Sequence, residues 1–228
     1  MSGSGASMSP TVVLLPGLGA DYRLFALQRS IIPNLIVPSW PEPRAQESLS
    51  SFAARLAEAV PRSHSLYLGG ASFGGMVALE LAALLRPKGV ILVGSCRSPE
   101  GIAPLARYTR RVANALPVSS FHPRRWSLPL VLPKFGRLSR GQRELFWRMA
   151  SGTPASFLKW GVAAILSWHP SAVPVPVHHI HGSKDRLIPI RLVRPDRVVS
   201  GGGHLLTLTH PVEVNAFLTD TVLRESDT

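Results

Sequence analysis

The sequence predicts an α/β fold: a mostly parallel central sheet flanked by helices, with a helical cap inserted in its second half. Three observations predict it. Short apolar runs rich in β-branched residues alternate with segments of helical spacing, the pattern of a parallel sheet covered on both faces. A glycine-bounded turn, Gly70-Ala71-Ser72-Phe73-Gly74, joins one such run directly to one such helix. The alternation then stops after Val93 and resumes only at Val175, which leaves about 97–170 for a helical insertion.

Each element follows from its residues. Thr11-Val12-Val13-Leu14-Leu15 is a continuous apolar run suited to a strand buried on both faces, and it ends in the loop Pro16-Gly17-Leu18-Gly19. Asp21–Ser30 reads as a short helix, and Leu35-Ile36-Val37 as a second strand closed by Pro38. Ser48 is a helix start signal for the apolar spacing Leu49, Phe52, Ala53, Leu56, Ala57 and Val60. Leu66–Leu68 is the strand before the Ser72 turn, Gly75–Leu85 the helix after it, and Gly89–Val93 the next strand. In the insertion, Pro104–Leu116, Gly141–Met149 and Pro154–Trp168 have amphipathic helical spacing. Strands return at Val175–His181 and Arg197–Val199, and a last helix runs from Pro211 to about Leu223. Residues 1–10 read as a flexible tail or an expression scar and 11–228 as a single domain.

Composition bounds the function. The chain has 228 residues, 45% of them hydrophobic and 17% charged, enough for one folded core. No apolar stretch approaches the roughly 18–20 residues that cross a membrane, and no signal peptide is expected. A single cysteine, Cys96, cannot form an internal disulfide, which fits a cytoplasmic protein. The net charge is +12, and Arg97–Arg148 holds eleven Lys or Arg against two acids. Such a surface attracts anionic partners, among them an acidic carrier protein or an anionic lipid surface. No nucleic-acid-binding motif accompanies it, so nucleic acid is not an expected partner.

The chemistry starts at Ser72. G-x-S-x-G between a strand and a helix is the pattern of a nucleophile held on a strained bend, and Gly70 and Gly74 leave room for that bend. A serine hydroxyl needs a base, and the base needs an orienting acid. Asp185 follows the Val175–His181 strand and His204 follows the Arg197–Val199 strand. Parallel sheets gather such loops at the C-terminal edge of their strands, so Ser72, Asp185 and His204 belong to one site. The oxyanion of a tetrahedral intermediate needs backbone N–H donors. The candidates are Phe73, after the nucleophile, and Leu18, in the loop that Gly17 and Gly19 allow to come close.

These four motifs in this order resemble the α/β-hydrolase superfamily from Thr11 to the last helix. Among its members the chain is similar to small cytoplasmic carboxylesterases in the style of the pimeloyl-carrier-protein methyl ester esterases. The resemblance implies a serine hydrolase for carboxylic esters, with Ser72 as nucleophile, His204 as general base and acid, Asp185 as its orienting residue, and no metal or organic cofactor. Pro16-Gly17 stands where most relatives have His-Gly, and the span from Asp185 to His204 is short for a full helix and strand, so the last crossover is expected to be trimmed to a loop. Alternatives are a thioesterase or carrier-linked ester hydrolase, and a ligand-binding member without turnover.

Other residues compete for these roles. Asp196 and Asp21 are the other acids considered, and His210 the other histidine. His178, His179 and His181 could suggest a metal, but no carboxylate or cysteine set accompanies them, and core or edge histidines are expected. Cys96 could line the pocket. Phe121, Trp126, Phe135, Phe146, Trp147, Trp160 and Trp168 could form an apolar acyl pocket or pack the cap onto the sheet.

Overall fold

A computed structural model describes residues 9–102 and 115–224 of the chain. Among these residues six strands form one sheet in the order β2-β1-β3-β4-β5-β6, every neighbouring pair parallel. They are β1 (Thr11–Leu15), β2 (Leu35–Ile36), β3 (Leu66–Ala71), β4 (Gly89–Val93), β5 (Val177–Gly182) and β6 (Arg197–Val199). The β-branched and leucine runs of β1, β3 and β4 are buried along nearly their whole length, because helices cover both faces. Alternate residues feed two cores. Val13, Leu15, Leu68 and Leu92 enter one cluster, and Val12, Leu14, Tyr67 and Ile91 the other.

The helices are α1 (Ala26–Arg29), α2 (Leu49–Leu56), α3 (Phe73–Leu85), α4 (Leu128–Phe135), α5 (Arg140–Ser151), α6 (Ala155–Leu166), α7 (Leu206–Thr209) and α8 (Pro211–Arg224). Ser48 caps α2 in a reciprocal capping box with Ser51, and Ser139 caps α5 with Gln142 in the same way. α2 buries Leu49, Phe52, Ala53 and Leu56, the face its spacing predicts.

Some boundaries differ from the sequence reading. The segment expected as one helix over Asp21–Ser30 begins as a 3-10 turn, Tyr22–Phe25, before α1. β5 starts two residues later than expected, after Pro174 and Pro176, which have no N–H to give a ladder. The span between β5 and β6 holds only a 3-10 turn, Ile190–Leu192, so the last crossover is trimmed as expected. α4 was not anticipated. Of the three helices expected in the insertion, those at Gly141–Met149 and Pro154–Trp168 correspond to α5 and α6, whereas most of Pro104–Leu116 lies outside the described residues.

One buried charge ties α3 to its surroundings. Glu80 is 2% exposed, and its carboxylate accepts from Ser50 Oγ (2.6 Å), Trp168 Nε1 (2.8 Å), Ser171 N (3.0 Å) and Ser171 Oγ (2.8 Å). Burial alone would raise its pKa, but these donors outweigh that and hold it below the ordinary 4.5. Its contribution to stability is therefore present above pH 4.5 and is lost as the pH falls below that value. Denaturant unfolding of Glu80→Ala at neutral pH is expected to show a loss of about 3 kcal/mol or more, because several donors lose a charged acceptor at once. An unchanged unfolding midpoint would contradict this.

Candidate active site

The order of the strands places the site. The chain leaves β1 for β2 on one side and returns to β3 on the other, so the loops after β1 and β3 open at a reversal of strand order, where open parallel sheets bind ligands. Ser72 lies in the turn after β3, immediately before α3, with φ 51° and ψ −119°. A positive φ in a residue with a side chain costs on the order of 1–3 kcal/mol and persists only where neighbours enforce it. Here Ser72 N–H donates to Val93 O (3.1 Å), and Ser95 Oγ donates to Ser72 O (2.7 Å). The turn also needs Gly70 and Gly74. A Cβ on Gly70 would overlap the Gly74 carbonyl group, and one on Gly74 would overlap the Leu15 carbonyl group. Those neighbours are backbone and cannot swing away.

Asp185 and His204 come from the loops after β5 and β6. Asp185 Oδ1 accepts from the N–H groups of Leu187 (2.8 Å) and Ile188 (2.9 Å). Its Oδ2 lies 2.7 Å from His204 Nδ1. A carboxylate only accepts, so Nδ1 carries the proton and Nε2 is the lone-pair nitrogen. Both side chains are almost fully buried, at 0% and 4% exposure. Burial would raise the Asp185 pKa, but the bond to His204, the charge it can carry and the Ile188 amide hold it lower than normal. The His204 loop is held by its own N–H on Phe135 O (3.0 Å) and by Lys184 N–H on Gly202 O (2.8 Å).

Ser72 and His204 open onto the same cavity of about 420 Å³. Among the described residues its walls are apolar apart from Ser72, His204 and Thr207: Leu18, Met76 and Ile188 from the sheet side, and Phe135, Phe146, Met149, Val162 and Ile165 from α4, α5 and α6. Gly17 also lines it, in a turn closed by Ala20 N–H on Gly17 O (3.0 Å). A Cβ on Gly17 would meet Ala71 O at 3.6 Å, no closer than ordinary contact. A Cβ there would sit 3.7 Å from Ser72 Cβ, in ordinary contact. Gly19, by contrast, has φ +78°. Leu18 lies in this same turn, and Phe73 N–H stands in the first turn of α3, where a helix has no acceptor of its own for its amides.

The competing residues lie elsewhere. Asp196 accepts from His179 N–H and from Arg97 at the start of β6, and Asp21 caps the turn before α1 and pairs with Arg23. His210 Nδ1 is 2.9 Å from Thr209 Oγ1. Cys96 lines a different cavity, of about 250 Å³, and burial pushes its thiol up to about 12. Of the aromatic residues, Phe135 and Phe146 line the Ser72 cavity. Trp160 packs with Phe52, Phe73 and Phe157, Trp168 bonds Glu80, and Trp126 is 68% exposed. His179 and His181 share a face of β5, their rings 3.1 Å apart between Nε2 and Nδ1. Ser95 and Phe135 O were not anticipated. A serine just past a strand end and a backbone carbonyl carry no signal of their own in a sequence.

The profile of the alpha/beta hydrolase family matches residues 12–217. The mitochondrial palmitoyl-protein thioesterase ABHD10 of Mus musculus is 33% identical over 140 residues, which is 58% of this chain and 40% of that protein. This chain therefore matches less than half the length of that relative. A thermophilic esterase from Thermogutta terrifontis superposes with a TM-score of 0.74 at 20% identity, covering 96% of this chain and 91% of that one. The RedJ thioesterase of Streptomyces coelicolor does so with a TM-score of 0.67 at 20% identity, covering 94% and 91%. At that identity the two structures speak for the fold, whereas the profile spans most of the chain, and on that match this protein belongs to the alpha/beta hydrolase family.

Proposed function

We propose that the protein is a serine hydrolase that cleaves esters or thioesters of apolar acyl chains through an acyl-enzyme intermediate. The observation that carries this is a serine on a strained, glycine-bounded turn sharing one apolar cavity with a histidine whose far nitrogen is bonded to a buried carboxylate. In this reading Ser72 Oγ attacks the carbonyl carbon while His204 Nε2 takes its proton. The amides of Leu18 and Phe73 stabilise the oxyanion. His204 then gives the proton to the leaving alkoxide or thiolate, and water, deprotonated by His204, releases the acid and restores Ser72. Asp185 holds the imidazole and stabilises its cation.

The cavity supports the choice of substrate. Its 420 Å³ is more than ten times the ~30 Å³ that one water occupies in the liquid, and among the described residues its walls offer no Lys, Arg, Asp or Glu to an acyl chain. α4, α5 and α6 supply most of the outer wall, which is the part of a cap over about 97–170 in a single domain. A p-nitrophenyl ester series from acetate to laurate tests this. Turnover is expected to rise with chain length, and Ile165→Trp to cut it about tenfold or more for the longest esters while sparing acetate. Acetate as the best substrate of the unaltered protein would contradict the acyl-pocket reading, and no turnover of any ester or thioester would favour a ligand-binding role.

The thioester reading is favoured by one observation, the partial match to a palmitoyl-protein thioesterase. The excess of cations over 97–148 supports an acidic carrier as the substrate's other half. High salt should then raise KM for a carrier-linked acyl thioester and leave a small neutral ester unaffected. An equal response of the two would remove the carrier. A cytoplasmic location rests on the lone cysteine, which is buried.

A further inference from the structure

We propose that His181, a residue of β5, is a positioning residue for Asp185: its ring locks the 185–188 turn so that the carboxylate faces His204. The inference rests on the reading of Ser72, Asp185 and His204 as the reacting set. His181 is fully buried. Its Nε2 is 2.8 Å from Ile188 O and 3.5 Å from Asp185 Oδ2, so one nitrogen reaches both ends of the turn. The same turn is closed from within by the Leu187 and Ile188 amides on Asp185 Oδ1. Ile188 is also a wall of the acyl cavity.

The hydrogen bonds define the protons. A carbonyl oxygen only accepts, so Nε2 of His181 carries a hydrogen. That hydrogen is given to Ile188 O, and the same edge of the ring stands 3.5 Å from Asp185 Oδ2. In the neutral ring Nδ1 then keeps its lone pair, and His179 Nε2, 3.1 Å away, must be the donor to it. His179 is equally buried, and its backbone N–H is fixed to Asp196 Oδ2 (2.6 Å). A line of bonds thus runs from the body of β5 through two imidazoles to Ile188 O, with the acid 3.5 Å from the last ring. Burial keeps both rings neutral. It pushes His179 down to about 3, helped by His181 and Arg97, and it lowers His181 against the pull of Ile188 O and Asp185. The charged or titratable groups facing His181 are His179, Asp185 and His204. A neutral donor there orients the carboxylate without competing with His204 for its charge.

The test compares His181→Leu with His181→Gln, whose amide can return a donor near the Nε2 position, using Ser72→Ala as the control for the reacting set. Activity is expressed per folded protein on one p-nitrophenyl ester. In His181→Leu, kcat is expected to fall about 10²-fold, the scale of a small misplacement of a reacting group. KM should stay within about threefold, and His181→Gln should recover much of the loss. If Ser72→Ala is inactive while His181→Leu keeps full kcat and loses only thermal stability, the positioning role is overturned and the proposed reaction stands. If Ser72→Ala keeps its activity, the reaction fails, and this inference with it. Should His181→Leu not fold, imidazole 15N NMR of the unaltered protein decides: His181 is expected as the Nε2–H tautomer and not to titrate between pH 5 and 8. An Nδ1–H tautomer, or titration in that range, would overturn the proposal.

Discussion

Ser72→Ala is expected to reduce ester hydrolysis by about 10⁴–10⁶-fold, the scale on which loss of a serine nucleophile removes turnover. The fold should survive. Alanine keeps the Cβ that the turn already accommodates, and the bonds that hold the turn, Ser72 N–H on Val93 O and Ser95 Oγ on Ser72 O, are made by the Ser72 backbone. Ser72 Oγ is not among the atoms on which the elbow depends. Stopped-time hydrolysis with unchanged thermal unfolding is the matching measurement. A variant that unfolds at the same temperature and still turns over at even a tenth of the original rate would exclude Ser72 as the nucleophile.

Asp185→Asn is expected to lower kcat by about 10⁴-fold with little change in KM. The reason lies in the four groups around the carboxylate. Leu187 N–H and Ile188 N–H donate to Oδ1, and His204 Nδ1 and His181 Nε2 face Oδ2. The two amides and His204 Nδ1 donate to it, His181 turns its N–H edge toward it while donating to Ile188 O, and an ionised carboxylate meets them with two acceptor oxygens. An amide has one oxygen. If it faces the turn, its NH2 faces His204 and forces the proton of that ring onto Nε2, where it can no longer accept from Ser72. If it faces His204, the NH2 confronts two backbone N–H groups and the turn opens. Steady-state kinetics with the circular dichroism spectrum as a check on folding would test this. Full activity in Asp185→Asn would mean that the Asp185–His204 bond does not serve the reaction.

The parts of the site that could be read in the sequence are those whose geometry is local. The elbow is written in five consecutive residues, because the bend needs glycine on both sides of the serine, and the backbone contacts at Gly70 and Gly74 give the reason. Asp185 and His204 can be placed beside Ser72 from the sequence because a parallel sheet brings its strand ends to one edge, and β5 and β6 end just before them. What escaped is non-local or carries no composition signal. Ser95 acts on a carbonyl 23 residues away, and Phe135 supports His204 through its backbone oxygen. His181 looked like any histidine of a buried strand until Ile188 O and Asp185 closed around it. α4 was hidden by its prolines. Pro129 falls in the first turn, where no N–H is needed, but Pro133 lies inside the helix and reads as a breaker. The continuous apolar runs of β1, β3 and β4 are enough for the sheet, while the start of β5 is decided by Pro174 and Pro176, which the apolar run alone conceals.

The central claim is a covalent acyl-enzyme on Ser72, and the most direct measurement is mass spectrometry after reaction with an alkyl fluorophosphonate, which traps an activated serine as a stable adduct. One adduct per chain is predicted, on the peptide that contains Ser72, absent in Ser72→Ala and blocked by a long-chain ester added in excess. An adduct on another residue, or an unlabelled protein that still hydrolyses esters, would contradict the account.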